Sequence, residues 1–231
     1  MEGIGMANLT STSCSFDING MNKYLGVPKL KNFFIINSTL TFKINGKELC
    51  VTIEEVTNAM RSDFIKDLSM YAEFCKTNVT TIDGEKLCHI DNFNISHFDP
   101  TCQRVVGDVN IRAGDEDYVY KLENVTWIYG VLQVVKTNLV KVDFMKNLQY
   151  VYYEFGQVNI NIRYNQNLVS VVFPSLKKVL AQIHIEGSSP AFILDLTVCL
   201  ETNNSLNTTR FRNAVINDKT CSMLSGTWNI L

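Results

Sequence analysis

Gly107-Asp-Val-Asn-Ile111, Gly130-Val-Leu-Gln-Val-Val135, Gly156-Gln-Val-Asn-Ile-Asn-Ile162 and Ile183-His-Ile185 are four versions of one phrase. Each alternates apolar and polar residues with a period of two, the pattern of a half-buried strand. Their apolar ends, Ile111, Val134, Ile162 and Ile185, lie 23, 28 and 23 residues apart. A unit of that length cannot bury its apolar side alone and must stack on its neighbours, which turns positions twenty-odd residues apart into direct contacts. The linking segments fit this reading. Thr137-Asn-Leu-Val-Lys-Val142 follows one strand, and Asn165-Gln-Asn-Leu168, then Val171, follows the next. Each puts a polar turn residue shortly past a strand, where an Asn or Thr side chain bonds backbone amides at a corner. The expected fold is mainly β, a parallel solenoid with a leucine-rich-like repeat.

Working outward, Asn19 to Lys31 (NGMNKYLGVPKLK) aligns with Asn165 to Lys177 (NQNLVSVVFPSLK) at a constant offset of 146, matching Pro28 to Pro174 and Leu30 to Leu176. This implies the end of a first copy, residues 1–75, ahead of a second copy at 102–200. Thr52-Ile-Glu-Glu55 is a capping box. Behind it Val56, Met60, Phe64, Leu68 and Tyr71 form one apolar stripe, so a cap helix is expected over about 52–74. Residues 76–101 read as a disulfide-bearing connector and 201–231 as a polar tail or final coil.

The charge balance, 21 basic against 23 acidic residues with no basic run longer than two, gives no nucleic-acid footprint. The longest apolar stretches, 127–135 and 191–200, are far shorter than the roughly 18 to 20 residues of a membrane span. The opening Met1-Glu2-Gly3-Ile4-Gly5 shows no basic n-region followed by an apolar h-region, so no secretory signal is visible there. Two features nevertheless point outside the cell. Asn-x-Ser/Thr sequons begin at Asn8, Asn37, Asn78, Asn94, Asn124, Asn203 and Asn207, where chance predicts roughly three. The seven cysteines, Cys14, Cys50, Cys75, Cys88, Cys102, Cys199 and Cys221, contain no C-x-x-C, and His89, His97 and His184 lack zinc spacing. Disulfides are the better reading, with an extracellular or ectodomain location. The shortened first copy predicts a fuller chain carrying a leader and the missing first coils upstream.

The run Cys102-x-x-Val-Val-Gly107-Asp-Val-x-Ile, then Leu122-x-x-Val-x-x-Ile-x-Gly130-Val-Leu-x-Val, then Thr137-Asn-Leu-x-x-Val-x-Phe-Met-Lys-Asn-Leu148, resembles the receptor L domain of insulin-receptor and EGF-receptor ectodomains. It also resembles nematode proteins with paired L domains and no kinase. The resemblance covers about 102–200, and 14–75 as the end of a preceding domain with Leu49-Cys50 ahead of the cap helix. It implies a right-handed parallel β-helix that binds a secreted insulin-like or EGF-like peptide on a sheet face, as a decoy or a receptor fragment, without catalysis or cofactor. The sequence departs from the family in two places. Cys199 sits in Thr197-Val-Cys-Leu rather than in a Leu-Cys ahead of a capping box, and the connector is too poor in cysteine for a furin-like region.

If Ile111, Leu132, Val134, Ile162 and Ile185 face the core, then Asn110, Arg112, Gln133, Asn161, Arg163 and His184 share one outward face. They form either a peptide platform or a merely solvated sheet. Trp127, beside the Asn124 sequon, is read as core packing rather than an exposed anchor. Gly114-Asp-Glu-Asp117 is read as a solvated turn, since it lacks the ligand spacing of a calcium loop. His89 beside Cys88 is no nucleophile pair, because neighbours on an extended segment point apart. The favoured disulfides are Cys50 with Cys75 or Cys88, and Cys199 with Cys221; Cys14 aligns with Ile160 and is expected to be a buried thiol. Two rivals to peptide binding are an adhesion scaffold and a β-helical carbohydrate-active enzyme. The second would need clustered acids, and Glu186 alone projects outward.

Overall fold

The computed structural model describes residues 11–12, 34–35, 50–61, 73–153, 158–179, 182–186 and 215–216. The chain divides into two compact units, Met1–Val79 and Thr80–Leu231. The aligned segment 19–31, Cys14, Cys199, Cys221, and the sequons at Asn8, Asn37, Asn203 and Asn207 lie outside the described residues.

In the first unit β1 (Ser11–Thr12) pairs in parallel with β2 (Phe34–Ile35), and β3 (Cys50–Val51) with β4 (Glu73–Phe74). Between the last two runs α1, Ile53–Arg61. Its start is the expected capping box: Glu55 N–H donates to Thr52 Oγ1 (3.2 Å) and Thr52 N–H returns the bond to Glu55 Oε2 (2.9 Å). Val56, Ala59 and Met60 bury one face. The helix expected to run to about 74 does not do so, because Glu73 and Phe74 are a strand drawn alongside Cys50 and Val51. Phe64, Leu68 and Tyr71 fall outside the described residues.

Glu55 is itself buried, and desolvation pushes its carboxyl above the usual range, helped by the charge of Glu54 and opposed by the hydrogen bonds from Thr52. A raised carboxyl stabilises the fold below its unfolded value, and that contribution is lost as the pH rises through the folded value. Glu55→Gln keeps an acceptor for Thr52 and removes the buried charge. The variant is expected to lie within about 1 kcal/mol of the parent at pH 4, and to gain on the parent at pH 7. Denaturation midpoints at the two pH values check this; an equal difference at both sinks it.

The second unit alternates strands between two parallel sheets. One sheet takes β6 (Glu85–His89), β7 (Arg104–Val106), β9 (Trp127–Tyr129), β12 (Tyr150–Tyr152) and β15 (Lys178–Val179), edged by the antiparallel β5 (Thr81–Ile82). The other takes β8 (Val109–Arg112), β10 (Leu132–Val135), β13 (Val158–Arg163), β16 (Gln182–Glu186) and β17 (Val215–Ile216). A short parallel pair, β11 (Lys141–Val142) and β14 (Ser170–Val171), lies between them in the chain.

Register makes the repeat physical. Val109, Leu132, Ile160 and Ile183 form one inward row, and Ile111, Val134, Ile162 and Ile185 the next, all buried. From the other sheet Val105, Ile128, Val151 and Val179 face the same core. Burying each such side chain contributes about 1.5–3 kcal/mol. Corners are stitched by the expected polar residues. Asn165 Oδ1 accepts from the N–H and the hydroxyl of Thr137 (2.8 Å each), and its Nδ2 donates to Val134 O (2.8 Å). A bulge between Val158 and Ile160 turns Asn159 inward, where its Nδ2 donates to Val151 O (3.2 Å).

Residues 81–89, expected in the connector, are instead the first strands of this unit. The disulfide follows from that: Cys88 pairs with Cys102, not with Cys50. Strand β6 lies against β7 with Cys88 opposite Val105, and Cys102 just precedes β7, so the two thiols meet at one edge. Cys75 is disulfide-bonded too; the side chain of Cys50, its expected partner, lies outside the described residues.

Candidate functional site

Strand pairing places the sequence-selected polar residues on one face of the five-stranded sheet. Asn110, Gln133, Asn161 and His184 stand in one register row, each opposite the next. At a parallel-strand spacing of about 4.8 Å that row is roughly 14 Å long. The next row reads Arg112, Val135, Arg163, Glu186. Arg112 is exposed and the other seven are half-buried.

The rows are knitted at one end. Arg163 Nη2 approaches His184 Nδ1 at 3.0 Å, and its Nε lies 3.5 Å from Glu186 Oε2. A guanidinium can only donate, so His184 accepts through Nδ1 in this arrangement. Asn161 Oδ1 is buried with no hydrogen-bond partner among the described residues. At the opposite end the Arg112 guanidinium has no such pairing among the described residues, and it is the open cation of the face.

Val135 escaped the sequence reading because an apolar residue in an alternating strand looks like core. It stands half-buried between Arg112 and Arg163 and gives the second row an apolar centre. The segments that follow the strands expose Tyr118, Tyr120, Val140 and Tyr164. Tyr164 belongs to a corner: its N–H donates to Glu186 O (2.9 Å) and its φ is 58°.

The acidic turn acts as backbone caps. Asp115 Oδ2 accepts from Arg112 N–H (2.8 Å), Glu116 Oε2 from Gly114 N–H (2.7 Å), and Glu116 Oε1 from Asn138 N–H (2.8 Å). Slight burial of Glu116 works against its charge, but these amide bonds outweigh it and hold the carboxyl below the usual range. Among the described residues no group of three or more His, Cys, Asp or Glu is placed to hold a metal ion. Trp127 is 1% exposed, stacked between Tyr129 and Tyr150 at ring-centroid distances of 5.4 and 4.0 Å, and so is packing rather than an exposed anchor. Cys88 is consumed by its disulfide, which leaves His89 no thiol. The sequon residues Asn78, Asn94 and Asn124 are exposed.

Stacked parallel strands with a polar outer face give the described part of the second unit a repeat-built sheet surface. Residues 101–212 match the family model of the receptor L domain, and this segment belongs to that family. The family is one of receptor-like, ligand-binding modules without enzymatic activity. No curated protein and no solved structure matches the chain. No helix among the described residues is long and apolar enough to cross a membrane.

Proposed function

We propose that this protein is an extracellular receptor-like module whose second unit is a right-handed parallel β-helix that docks a secreted insulin-like or EGF-like peptide on its five-stranded sheet, either as a soluble decoy or as part of a larger receptor. One observation carries the reading: the two outward rows, Asn110 to His184 and Arg112 to Glu186, mix amide, cationic and apolar side chains over one continuous face. Side-chain amides serve backbone N–H and C=O groups of an extended peptide, Arg112 serves an acidic side chain or a C-terminal carboxylate, and Val135 supplies dry contact at the centre. Electrostatic complementarity at such a face sets specificity and on-rate more than raw affinity.

The test is binding of the purified chain to a panel of secreted insulin-like and EGF-like peptides, with Arg112→Glu and Arg163→Glu as variants. Each is expected to weaken the peptide that binds by at least tenfold, about 1.4 kcal/mol, while circular dichroism stays unchanged. If no peptide in the panel binds, or if the variants bind as the parent does, the sheet is only a solvated scaffold and the adhesion reading takes its place. The pairing of Arg163 with His184 and Glu186 is what such a self-satisfied surface would show, so Arg112→Glu is the more decisive of the two.

A further inference from the structure

We infer that Asn94 is an N-glycan acceptor and that the first sugar of its glycan lies in the cleft beside it. The inference rests on the proposed passage through the secretory pathway, where lipid-pyrophosphate-linked oligosaccharide is the donor. In the transfer Asn94 Nδ2 forms a bond to the anomeric carbon of the oligosaccharide. The lipid pyrophosphate leaves, and the displaced amide proton passes to a base of the transferring enzyme.

Asn94 caps the short 3-10 turn Ile95–His97. Its Oδ1 accepts from Ser96 N–H (3.0 Å) and from the Ser96 hydroxyl (2.7 Å), so the acceptor sequence is folded onto itself. That leaves Nδ2 without a hydrogen bond among the described residues, on an exposed side chain. Asn124 is placed differently. Its Nδ2 donates to Pro100 O (3.0 Å), and the hydroxyl of its sequon partner Thr126 is turned inward, toward Glu85 Oε1 (3.0 Å) and Gln103 O (2.9 Å). Asn78 is exposed, with no cleft described beside it.

The cleft is the second, independent observation. It encloses about 240 Å³, and Asn94 itself is part of its wall. Phe93 and Phe98, with ring centroids 5.9 Å apart, give it an apolar side; His89, Asn92 and His97 give it a polar one. Drug-sized ligands fill sites upwards of about 300 Å³, so this cleft suits one sugar ring. A pyranose has one face of C–H groups for aromatic carbon and a rim of hydroxyls for imidazole and amide groups. The tether at Nδ2 makes occupancy intramolecular, so even weak contacts are populated.

The chain is expressed behind a cleavable secretion signal in cultured eukaryotic cells, and its glycopeptides are released by peptide N-glycosidase in ¹⁸O-water, which marks each formerly glycosylated Asn. Asn94 is expected to be marked in most molecules and more fully than Asn124. An unmarked Asn94, or an Asn124 marked as fully, overturns the assignment. Because the signal is supplied, this result stands apart from the peptide-binding test in either direction. For the seating, every glycan is trimmed to a single N-acetylglucosamine. The trimmed parent is compared with trimmed Asn94→Asp and with folded parent from which the sugar has been removed enzymatically, a step that leaves the same aspartate in place of the glycosylated asparagine. The single sugar is expected to raise the thermal midpoint by roughly 2 °C or more. Equal midpoints overturn the seating, and the enzymatic route keeps the comparison open if the variant fails to fold.

Discussion

Gly107→Ala is expected to lower the free energy of unfolding by about 3 kcal/mol or more. Gly107 sits where the chain leaves β7 for β8, with φ +124°. An L side chain rarely adopts that backbone, and holding it there costs about 1–3 kcal/mol. The added methyl group would also collide with the carbonyl oxygen of Ile90. A backbone atom cannot swing aside as a long side chain can, and forced overpacking costs about 1–3 kcal/mol more. The approach is close because the corners themselves are stacked: Ile90 N–H donates to Val106 O (2.9 Å) and Gly107 N–H to Tyr129 O (3.1 Å). Two companion variants separate the causes. At Gly84, φ is +81° with open space around it, so Gly84→Ala carries only the backbone strain, about 1 kcal/mol. At Gly130 the added carbon meets the Gly107 carbonyl and Asp108 Oδ1 without a left-handed backbone, so Gly130→Ala carries only the crowding. Urea denaturation of the three variants measures this ordering. A Gly107→Ala midpoint equal to the parent's would mean that the corners do not stack at this distance.

The same glycines show why part of the fold was legible and part was not. Gly107, Gly130 and Gly156 each open a strand phrase, and the period-two alternation behind them marks the core positions that register brings together: Ile111 beside Val134, Val134 beside Ile162, Ile162 beside Ile185. Alternation is readable there because one face is packed and the other is polar. Strands β9 and β12, Trp-Ile-Tyr and Tyr-Val-Tyr, are buried on both faces and so present unbroken apolar runs with no period to read. Strand β6, Glu-Lys-Leu-Cys-His, fails for the opposite reason: Leu87 is its single buried residue, and charged neighbours make it look like connector. The disulfide was missed with it, since Cys88 meets Cys102 only once β6 joins β7. At the candidate site the outward residues follow from periodicity. Their pairings, such as Arg163 with His184, depend on which strand lies next and at what stagger, and the Val158/Ile160 bulge sets that stagger.

Arg104→Leu is expected to cost about 2–4 kcal/mol, although leucine is the more hydrophobic residue. Arg104 begins β7 with its side chain 0% exposed. Its Nε lies 2.6 Å from Glu85 Oε2, its Nη2 3.0 Å from Asp83 Oδ2, and its Nη1 donates to the Tyr129 hydroxyl (3.1 Å), with the guanidinium 5.1 Å from the centre of the Trp127 ring. Burial alone would lower its proton affinity, but Tyr129 and Glu85 outweigh that and hold the group above its ordinary value. Three strand elements depend on the one cation: the β5–β6 hairpin through Asp83 and Glu85, β7 through its own backbone, and β9 through Trp127 and Tyr129. Leucine fills part of the volume and leaves the Glu85 carboxylate, whose side chain is 23% exposed, with Thr126 Oγ1 (3.0 Å) as its remaining side-chain donor among the described residues. Asp83 is half exposed and water can solvate it, so the loss stays below the upper end for a fully buried pair, about 5 kcal/mol. Arg104→Lys is expected to recover less than half of the loss, because an ammonium cannot address three acceptors in one plane or stack on the indole. A double-mutant cycle with Glu85→Gln isolates the pair and is expected to give a coupling of about 1–3 kcal/mol. If Arg104→Leu unfolds at the parent's midpoint, the cation is dispensable and the hairpin is held by strand pairing and the Cys88–Cys102 bridge alone.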